Sequence, residues 1–141
     1  MAAPHILHAS AVAVKARAAL IIGASGSGKS SLALEMMSRG AVLVADDRVV
    51  LTAEPQGIIL SAPDSIRGLI EARGLGILRA EVCASARLCC VVDLDQAEPE
   101  RLPPERHTCL LGQTVPLLHN AAHASFPAAL VQYLRGGRSD R

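Results

Sequence analysis

The segment from Gly23 to Ser30 constrains the fold more than any other part of this chain of 141 residues. It reads GASGSGKS, which fits the pattern G-x-x-x-x-G-K-[ST]. An apolar run, Ala19 to Ile22, precedes it, and leucines and methionines at helical spacing follow it. The motif occurs where a strand feeds a glycine-rich loop that opens a helix. The sequence therefore predicts a strand–loop–helix unit in an α/β fold.

The residues of this loop are suited to holding phosphate groups. Glycines leave space for a close approach and permit positive φ, so backbone N–H groups point inward, with the positive end of the next helix behind them. Lys29, one of only two lysines in the chain, occupies the position that reaches the β- and γ-phosphates, and Ser30 the position that ligates Mg²⁺. We predict that ATP phosphates bind to Gly23, Ala24, Ser25, Gly26, Ser27, Gly28, Lys29 and Ser30.

Composition narrows the class of protein. The length suits one domain over residues 1–141, with a frayed tail over 135–141. A net charge of +1 and an aromatic content of 1% argue against nucleic-acid binding. No apolar stretch approaches the roughly 18 residues of a membrane span, and no signal-peptide pattern opens the chain. We expect a cytoplasmic protein that does not bind membranes and whose four cysteines are mostly small buried side chains.

Local patterns predict the remaining elements. Alternating apolar residues indicate a hairpin before the loop, with strands over 6–14 and 17–22 and a turn at Lys15–Arg17. The helix after the loop is expected to run from Lys29 to Arg39 and to end at Gly40. Further strands are predicted on both sides of Asp46–Asp47, in QGIILSAP, in RLCCVVDLD and around Gly112. Two more helices are predicted, one starting at Asp64 or Ser65 and one over Ser125–Arg135.

The adjacent aspartates Asp46 and Asp47 follow a short apolar run, seventeen residues after Lys29. A carboxylate at a strand end beside a phosphate loop is typical of a Mg²⁺ ligand. Successive strand residues face opposite sides, so only a bend or a bulge would bring both to one site. Two alternatives stay open: both aspartates lie in the site, or Asp46 lies there and Asp47 pairs with Arg48 on the surface.

Four linked motifs carry a family resemblance: His8, the 23–30 loop, RGAVLVADDRV and IEARGLGI. Their order resembles the catalytic domain of HPr kinase/phosphorylase, in particular its short alphaproteobacterial form. The likeness is good over residues 5–80 and looser beyond them. It implies an enzyme that uses ATP and Mg²⁺ to phosphorylate a serine of the phosphocarrier protein HPr. It also implies a single P-loop domain with a mixed sheet, related to phosphoenolpyruvate carboxykinase.

The resemblance also implies roles for single residues. Asp46 resembles the general base that takes the proton of the target serine, and His8 the histidine beside that aspartate. Asp47 resembles the neighbouring acidic residue that organises the metal, with Glu71 as a further carboxylate near the metal. Arg73 lies in the signature segment tied to the reverse reaction, in which phosphate attacks phosphoserine. The metal ligands expected in this way are Ser30, Asp47 and Glu71.

The expected function is therefore an ATP- and Mg²⁺-dependent serine kinase acting on an HPr-like carrier, with the phosphorylase reaction as a second expectation. The resemblance implies a homo-oligomer, a hexamer. A small-molecule P-loop kinase and an ATP-sensing module without catalysis stay open as alternatives. A small-molecule kinase usually has a mobile lid with arginines over the phosphates, and this sequence shows no obvious lid of that kind. The presence of both Lys29 and Asp46 argues against an ATP-sensing module without catalysis.

Overall fold

The computed structural model describes residues 5–139. The strands are β1 His5–Leu7, β2 Ser10–Val14, β3 Arg17–Ile22, β4 Val42–Ala45, β5 Val49–Glu54, β6 Gly57–Ser61, β7 Leu69–Ala72, β8 Gly76–Arg79, β9 Ala86–Ala97, β10 Arg106–Leu110 and β11 Gln113–Asn120. The helices are α1 Lys29–Met37 and α2 Phe126–Gly136, with a short 3₁₀ helix at Asp64–Ile66.

Nine strands form one mixed sheet, in the order β1-β5-β6-β9-β3-β2-β4, with β11 beside the second half of β9 and β10 beside β11. β9 runs parallel to β3 and to β11, and the other neighbours are antiparallel. β7 and β8 form a separate antiparallel hairpin. The mixed sheet of an α/β fold is thus confirmed.

Two apolar clusters hold the fold together, one on each face of the sheet. On one face, α1 and α2 cover the sheet, and Met36 and Leu134 are fully buried there against Ile21. On the other face the sheet curls on itself, so that residues from both ends of the strand order, such as Val44 and Leu51, share one cluster. Neither helix among residues 5–139 is long and apolar enough to cross a membrane.

The two ends of the strand order are β1 with β5 and β2 with β4. The chain passes from one end to the other at two places. β1 pairs with β5, whereas β2, two residues later, pairs with β3 and β4. Likewise β4 pairs with β2, and β5 pairs with β1 and β6. The two crossing segments, 8–9 and 46–48, lie side by side, and the Ala9 N–H group donates to the Asp47 carbonyl oxygen at 3.3 Å. This juxtaposition brings residues far apart in sequence to one place.

Most local predictions are confirmed. β2 and β3 form the predicted hairpin, in which Lys15 and Ala16 adopt positive φ of 52° and 62°. Positive φ at both central residues is the mark of a type I′ turn, which matches the twist of the strands. α1 ends at Met37, and Gly40 has a φ of 106° just beyond it. The predicted strand over 6–14 is wrong in one respect, because the chain breaks at His8 and Ala9 to change partners.

The helix predicted from Asp64 or Ser65 is wrong. The structure has one 3₁₀ turn, Asp64–Ile66, with Pro63 at its start and no side-chain cap. Arg67 is extended, and Gly68 has a φ of 79°, a value outside the helical region, so the helix cannot continue. Leu69 then begins the β7–β8 hairpin. The helical spacing of Leu69 and Ile70 was therefore coincidental.

Two smaller expectations also need correction. α2 extends to Gly136, so Arg135 and Gly136 are helical and not part of a tail, and residues 140–141 of that tail lie outside the described residues. Of the cysteines, Cys90 alone is buried and Cys109 is exposed. Burial raises the pKa of the Cys90 thiol, which keeps it protonated.

Candidate active site

A cleft of about 370 Å³ opens between the 23–30 loop, the crossing segments and the β7–β8 hairpin. It brings together most of the residues singled out in the sequence. Its lining includes His8, Ser25, Gly26, Gly28, Lys29, Ser30, Asp46, Asp47, Glu71 and Arg73. Ser10, Ser31 and several apolar side chains complete the wall. Gly23, Ala24 and Ser27 of the predicted phosphate loop are not part of this lining and lie behind it.

The 23–30 loop joins the carboxyl end of β3 to the first residue of α1, as predicted. Gly26 and Gly28 have φ of 83° and 99°, and a Cβ added at either would meet no atom within 4 Å. Open space on this side of the loop suits an approaching phosphate. The side chain of Lys29 is buried, and its Nζ donates to the carbonyl oxygens of Gly23 at 2.8 Å and Ala24 at 3.0 Å.

Gly23 is the tightest position of this loop. Its φ is 155°, and an added Cβ would lie 2.5 Å from Ser27 Oγ and 3.2 Å from Leu94 Cβ. We expect Gly23→Ala to displace the loop and to weaken nucleotide binding about 5- to 150-fold, since overpacking of this kind costs about 1–3 kcal/mol. Titration of the variant with ADP and Mg²⁺ measures the loss.

Gly112→Ala is the matched control for this prediction. Gly112 also has a positive φ, 77°, but an added Cβ there would meet nothing within 4 Å. The control should lose some thermal stability through backbone strain and keep the nucleotide affinity of the wild type. Equal nucleotide affinities for the wild type and Gly23→Ala would contradict a role for the close packing at Gly23.

The carboxylate of Asp46 is buried and accepts three hydrogen bonds. Oδ1 accepts from Ser10 Oγ at 2.6 Å and from Ser30 Oγ at 2.7 Å. Oδ2 accepts from the backbone N–H group of Glu71 at 3.0 Å. These donors come from β2, α1 and β7, so three elements fix one carboxylate. Asp46 links the phosphate-loop serine to the rest of the cleft.

Asp47 has a different environment, because the backbone bends at this residue. Its φ is 71°, and the Arg48 N–H group donates to the Asp46 carbonyl oxygen across it at 2.8 Å, which closes a tight three-residue turn. Such a conformation costs a non-glycine residue about 1–3 kcal/mol and occurs at functional sites. The bend lets Asp46 and Asp47 line the same cleft.

The predicted neighbour of His8 needs correction. His8 Nε2 lies 3.0 Å from Asp47 Oδ1, and Asp46 instead takes its partners from Ser10, Ser30 and Glu71. The reason is the turn, which directs the Asp47 side chain outward to the crossing segment that carries His8. Both partners are more than half exposed, so the pair can meet a ligand in the cleft. Arg48 approaches the other oxygen of Asp47 at 3.9 Å.

The donor set beside Ser30 fits a divalent cation with hard oxygen ligands. The Ser30 hydroxyl and the Asp46 carboxylate are in contact, and the exposed carboxylate of Glu71 lines the same cleft. Within residues 5–139 no group of three or more His, Cys, Asp or Glu side chains forms a metal cage by itself. Mg²⁺ usually takes one or two protein carboxylates and completes its shell with water and phosphate oxygens.

Sequence reasoning missed two polar residues at the site. Ser10 is 1% exposed and belongs to an apolar strand, and nothing in the sequence marks it. Asp95, at the end of β9, accepts a hydrogen bond from the Ala24 N–H group at 2.9 Å and thereby fixes the start of the phosphate loop. The carboxyl end of a strand parallel to β3 is where such a residue would be expected, but the pairing of β9 with β3 is visible only in the structure.

Comparison with known proteins places this chain in one family. The family model "HPr Serine kinase C-terminal domain" matches residues 1–100. An HPr kinase/phosphorylase of Geobacillus sp. (strain WCH70) is 42% identical over 90 residues, which are 58% of this chain and 29% of that protein. Another, from Caldicellulosiruptor bescii, is 38% identical over 130 residues, or 82% of this chain and 42% of that protein. The chain thus spans less than half the length of these relatives.

A solved structure is also similar, the Hpr(Ser) kinase/phosphatase from Coxiella burnetii. The superposition has a TM-score of 0.77 at 26% sequence identity and covers 93% of this chain and 94% of that one. The similarity thus extends over almost the whole length of both chains. With the family model matching residues 1–100 of 141, this chain belongs to the HPr serine kinase C-terminal domain family.

Proposed function

We propose that this chain is an ATP- and Mg²⁺-dependent kinase domain that phosphorylates a serine of an HPr-like phosphocarrier protein. One observation carries the proposal: an exposed carboxylate, Asp47, lies beside His8 in the same cleft as Lys29 and Ser30. A phosphate-binding loop needs no such group in order to bind a nucleotide, whereas transfer to a hydroxyl does. The names of the relatives support the choice of acceptor.

Asp47, rather than Asp46, suits the role of proton acceptor. The carboxylate of Asp46 already accepts three hydrogen bonds and is 5% exposed. Asp47 accepts from His8 through Oδ1, and among residues 5–139 the one group paired with its Oδ2 is Arg48, at 3.9 Å. An incoming serine hydroxyl can therefore donate to Asp47 Oδ2. We reassign the general base from Asp46 to Asp47 and the metal-side carboxylate from Asp47 to Asp46.

In this mechanism Lys29 leaves the two loop carbonyls and contacts the terminal phosphates of ATP. Asp47 accepts the proton of the serine hydroxyl while the serine oxygen bonds to the γ-phosphorus and ADP leaves. His8 holds the Asp47 carboxylate toward the acceptor through its Nε2. Ser30 and Asp46, with Glu71 nearby, would hold Mg²⁺, which would offset the negative charge of the phosphate groups.

The β7–β8 hairpin favours a protein acceptor over a small molecule. Leu75 and Ile77 near its tip are 80% and 64% exposed, and Ile77 lines the cleft. Apolar side chains at the mouth of a site are typical of contact with a protein surface. A lid that closes on a small phosphorylated substrate would instead carry several cations. The relation to phosphoenolpyruvate carboxykinase and the hexameric assembly stay predictions.

The test is an incubation of the protein with γ-labelled ATP, Mg²⁺ and an HPr-like carrier. We expect label on a serine of the carrier and none on a carrier whose acceptor serine is replaced with alanine. Label only on a small hydroxyl compound would make the protein a small-molecule kinase. Tight ATP binding without any transfer would make it a nucleotide sensor. Either result would overturn the proposal.

Arg73 is proposed to serve the reverse reaction more than the forward one. Attack of phosphate on phosphoserine brings two anions together, and two unit charges about 4 Å apart repel by roughly 4 kcal/mol at an effective dielectric of 20. Arg73 lines the cleft, and its planar guanidinium can bind an oxyanion through two N–H groups. We expect Arg73→Ala to lower phosphate-dependent dephosphorylation about 10-fold more than ATP-dependent phosphorylation, since a charged contact is worth about 1.5–3 kcal/mol.

Arg79→Ala is the matched control, because Arg79 is exposed at the end of the same hairpin and lies outside the cleft. Both rates should be measured on one carrier protein for the wild type and both variants. If Arg73→Ala lowered the two rates equally, Arg73 would serve docking or structure. A wild type without any dephosphorylation would limit the protein to the kinase direction.

A further inference from the structure

We infer that Ser10 is a positioning residue that fixes the Asp46 carboxylate for cation binding at Ser30. The inference rests on the proposed function, since it concerns the Mg²⁺ that accompanies the nucleotide. Ser10 is 1% exposed, and its hydroxyl donates to Asp46 Oδ1 at 2.6 Å, which makes it one of three polar or charged side chains in the buried interior of residues 5–139. The other two, Lys29 and Asp46, already have roles in the site.

The sheet places Ser10 opposite Asp46. Ala11 of β2 pairs with Ala45, the last residue of β4, in antiparallel register. Ser10 precedes Ala11 and Asp46 follows Ala45, so this register brings their side chains into contact. The register then shifts between Ala11 and Val12, an irregularity of the kind that re-aims side chains beside active sites. The hydrogen bond to Asp46 is the interaction that the structure shows for the Ser10 hydroxyl.

The hydrogen bond from Ser10 to Asp46 matters because Ser30 donates to the same carboxylate oxygen, Oδ1. Ser30 Oγ donates to Asp46 Oδ1 at 2.7 Å and keeps its lone pairs for a cation. Ser10 and the Glu71 N–H group hold Oδ1 and Oδ2 from strands outside the phosphate loop. Two donors outside the 23–30 loop thus fix both oxygens of the carboxylate. Without Ser10, Oδ1 would keep only Ser30 as a donor, and the Glu71 N–H group at Oδ2 would be the one hydrogen bond left from outside the loop.

The experiment compares the wild type with Ser10→Ala and Ser10→Cys. Alanine removes the donor with little change in volume, between the buried residues Ala9 and Ala11, and cysteine keeps a weak donor on a slightly larger side chain. Ser61→Ala is the matched control, a hydroxyl removed from β6 in the same sheet and outside the cleft. ADP binding is measured by calorimetry in EDTA and at increasing Mg²⁺, and each variant is melted to check its fold.

We expect Ser10→Ala to raise the Mg²⁺ concentration for half-maximal ADP affinity about 10- to 150-fold, the range that fits loss of a hydrogen bond to a charged group. Ser10→Cys should shift it less, Ser61→Ala should leave it unchanged, and ADP affinity in EDTA should stay within about 2-fold of the wild type. Should Ser10→Ala fail to fold, Ser10→Cys carries the same comparison.

Two results would overturn the inference while ADP binding by the wild type remains intact. One is a Mg²⁺ dependence of Ser10→Ala equal to that of Ser61→Ala. The other is an equal loss of ADP affinity with and without Mg²⁺, which would show that Ser10 supports the fold alone. Failure of the wild type to bind ADP at any Mg²⁺ concentration would overturn the proposed function itself, so the two failures are distinguishable.

Discussion

Replacing Lys29 with alanine is expected to lower the affinity for ATP and Mg²⁺ about 100-fold or more and to abolish measurable transfer. Removing one preorganised charge-stabilising donor from a site that excludes water typically costs about 2.7–4 kcal/mol. Lys29 is 8% exposed, and its Nζ is held by the carbonyl oxygens of Gly23 and Ala24, so it is already near the place where phosphates would bind. Binding is measured by calorimetry and transfer with labelled ATP.

Lys15 offers a matched control, since it is the only other lysine of the chain. It lies exposed in the turn between β2 and β3, and Lys15→Ala should bind and transfer like the wild type. Thermal melting of both variants shows whether the fold is retained. Full ATP affinity in a folded Lys29→Ala protein would remove the assignment of the 23–30 loop as the nucleotide site.

Asp47→Asn is expected to leave the binding of ATP and Mg²⁺ within about 3-fold of the wild type and to lower transfer about 10²–10⁴-fold, the usual contribution of a positioned base. The amide keeps the size of the side chain and loses the proton acceptor. The bond between His8 and Asp47 predicts that His8→Ala lowers transfer in the same direction, by less. Single-turnover measurements with labelled ATP and carrier separate transfer from binding.

Asp46→Asn is the comparison that decides between the two aspartates. It replaces an acceptor of three hydrogen bonds with a group that can accept at one oxygen only, so Mg²⁺-dependent binding should weaken along with transfer. The opposite pattern would restore Asp46 as the base, namely intact Mg²⁺-dependent binding with lost transfer in Asp46→Asn and normal turnover in Asp47→Asn.

Elements specified by neighbouring residues could be predicted from the sequence. The glycines and Lys29 of the 23–30 loop, the hairpin before it and Pro127 in the first turn of α2 are all local signals, and the structure has each element where it was expected. The interruption of a strand at Asp46–Asp47 was also visible, because two adjacent charged residues do not continue an apolar strand. The cleft therefore contains most of the side chains that the motifs named.

The spacing of apolar residues gave a wrong secondary structure where the backbone contacts a residue distant in the sequence. Ile66, Leu69 and Ile70 have helical spacing, yet Gly68 turns the backbone, and the N–H group of Glu71 donates to Asp46 Oδ2 from a strand. A helix over these residues would point that N–H group at its own preceding turn. The hydrogen bond from Glu71 to Asp46, twenty-five residues earlier in the chain, therefore requires an extended backbone at Glu71.

The sequence by itself determined the chemical groups of the predicted phosphate site: a glycine-rich loop, Lys29, Ser30 and a pair of aspartates. Only the tertiary structure decided which hydrogen-bond partners each of the two aspartates has. The turn at Asp47 and the adjacent crossing segments place His8 within hydrogen-bond distance of Asp47. The register of β2 and β4 places Ser10 within hydrogen-bond distance of Asp46. These contacts depend on which strands pair across the curled sheet. The paired strands are far apart in the sequence, so neighbouring residues do not predict the pairing.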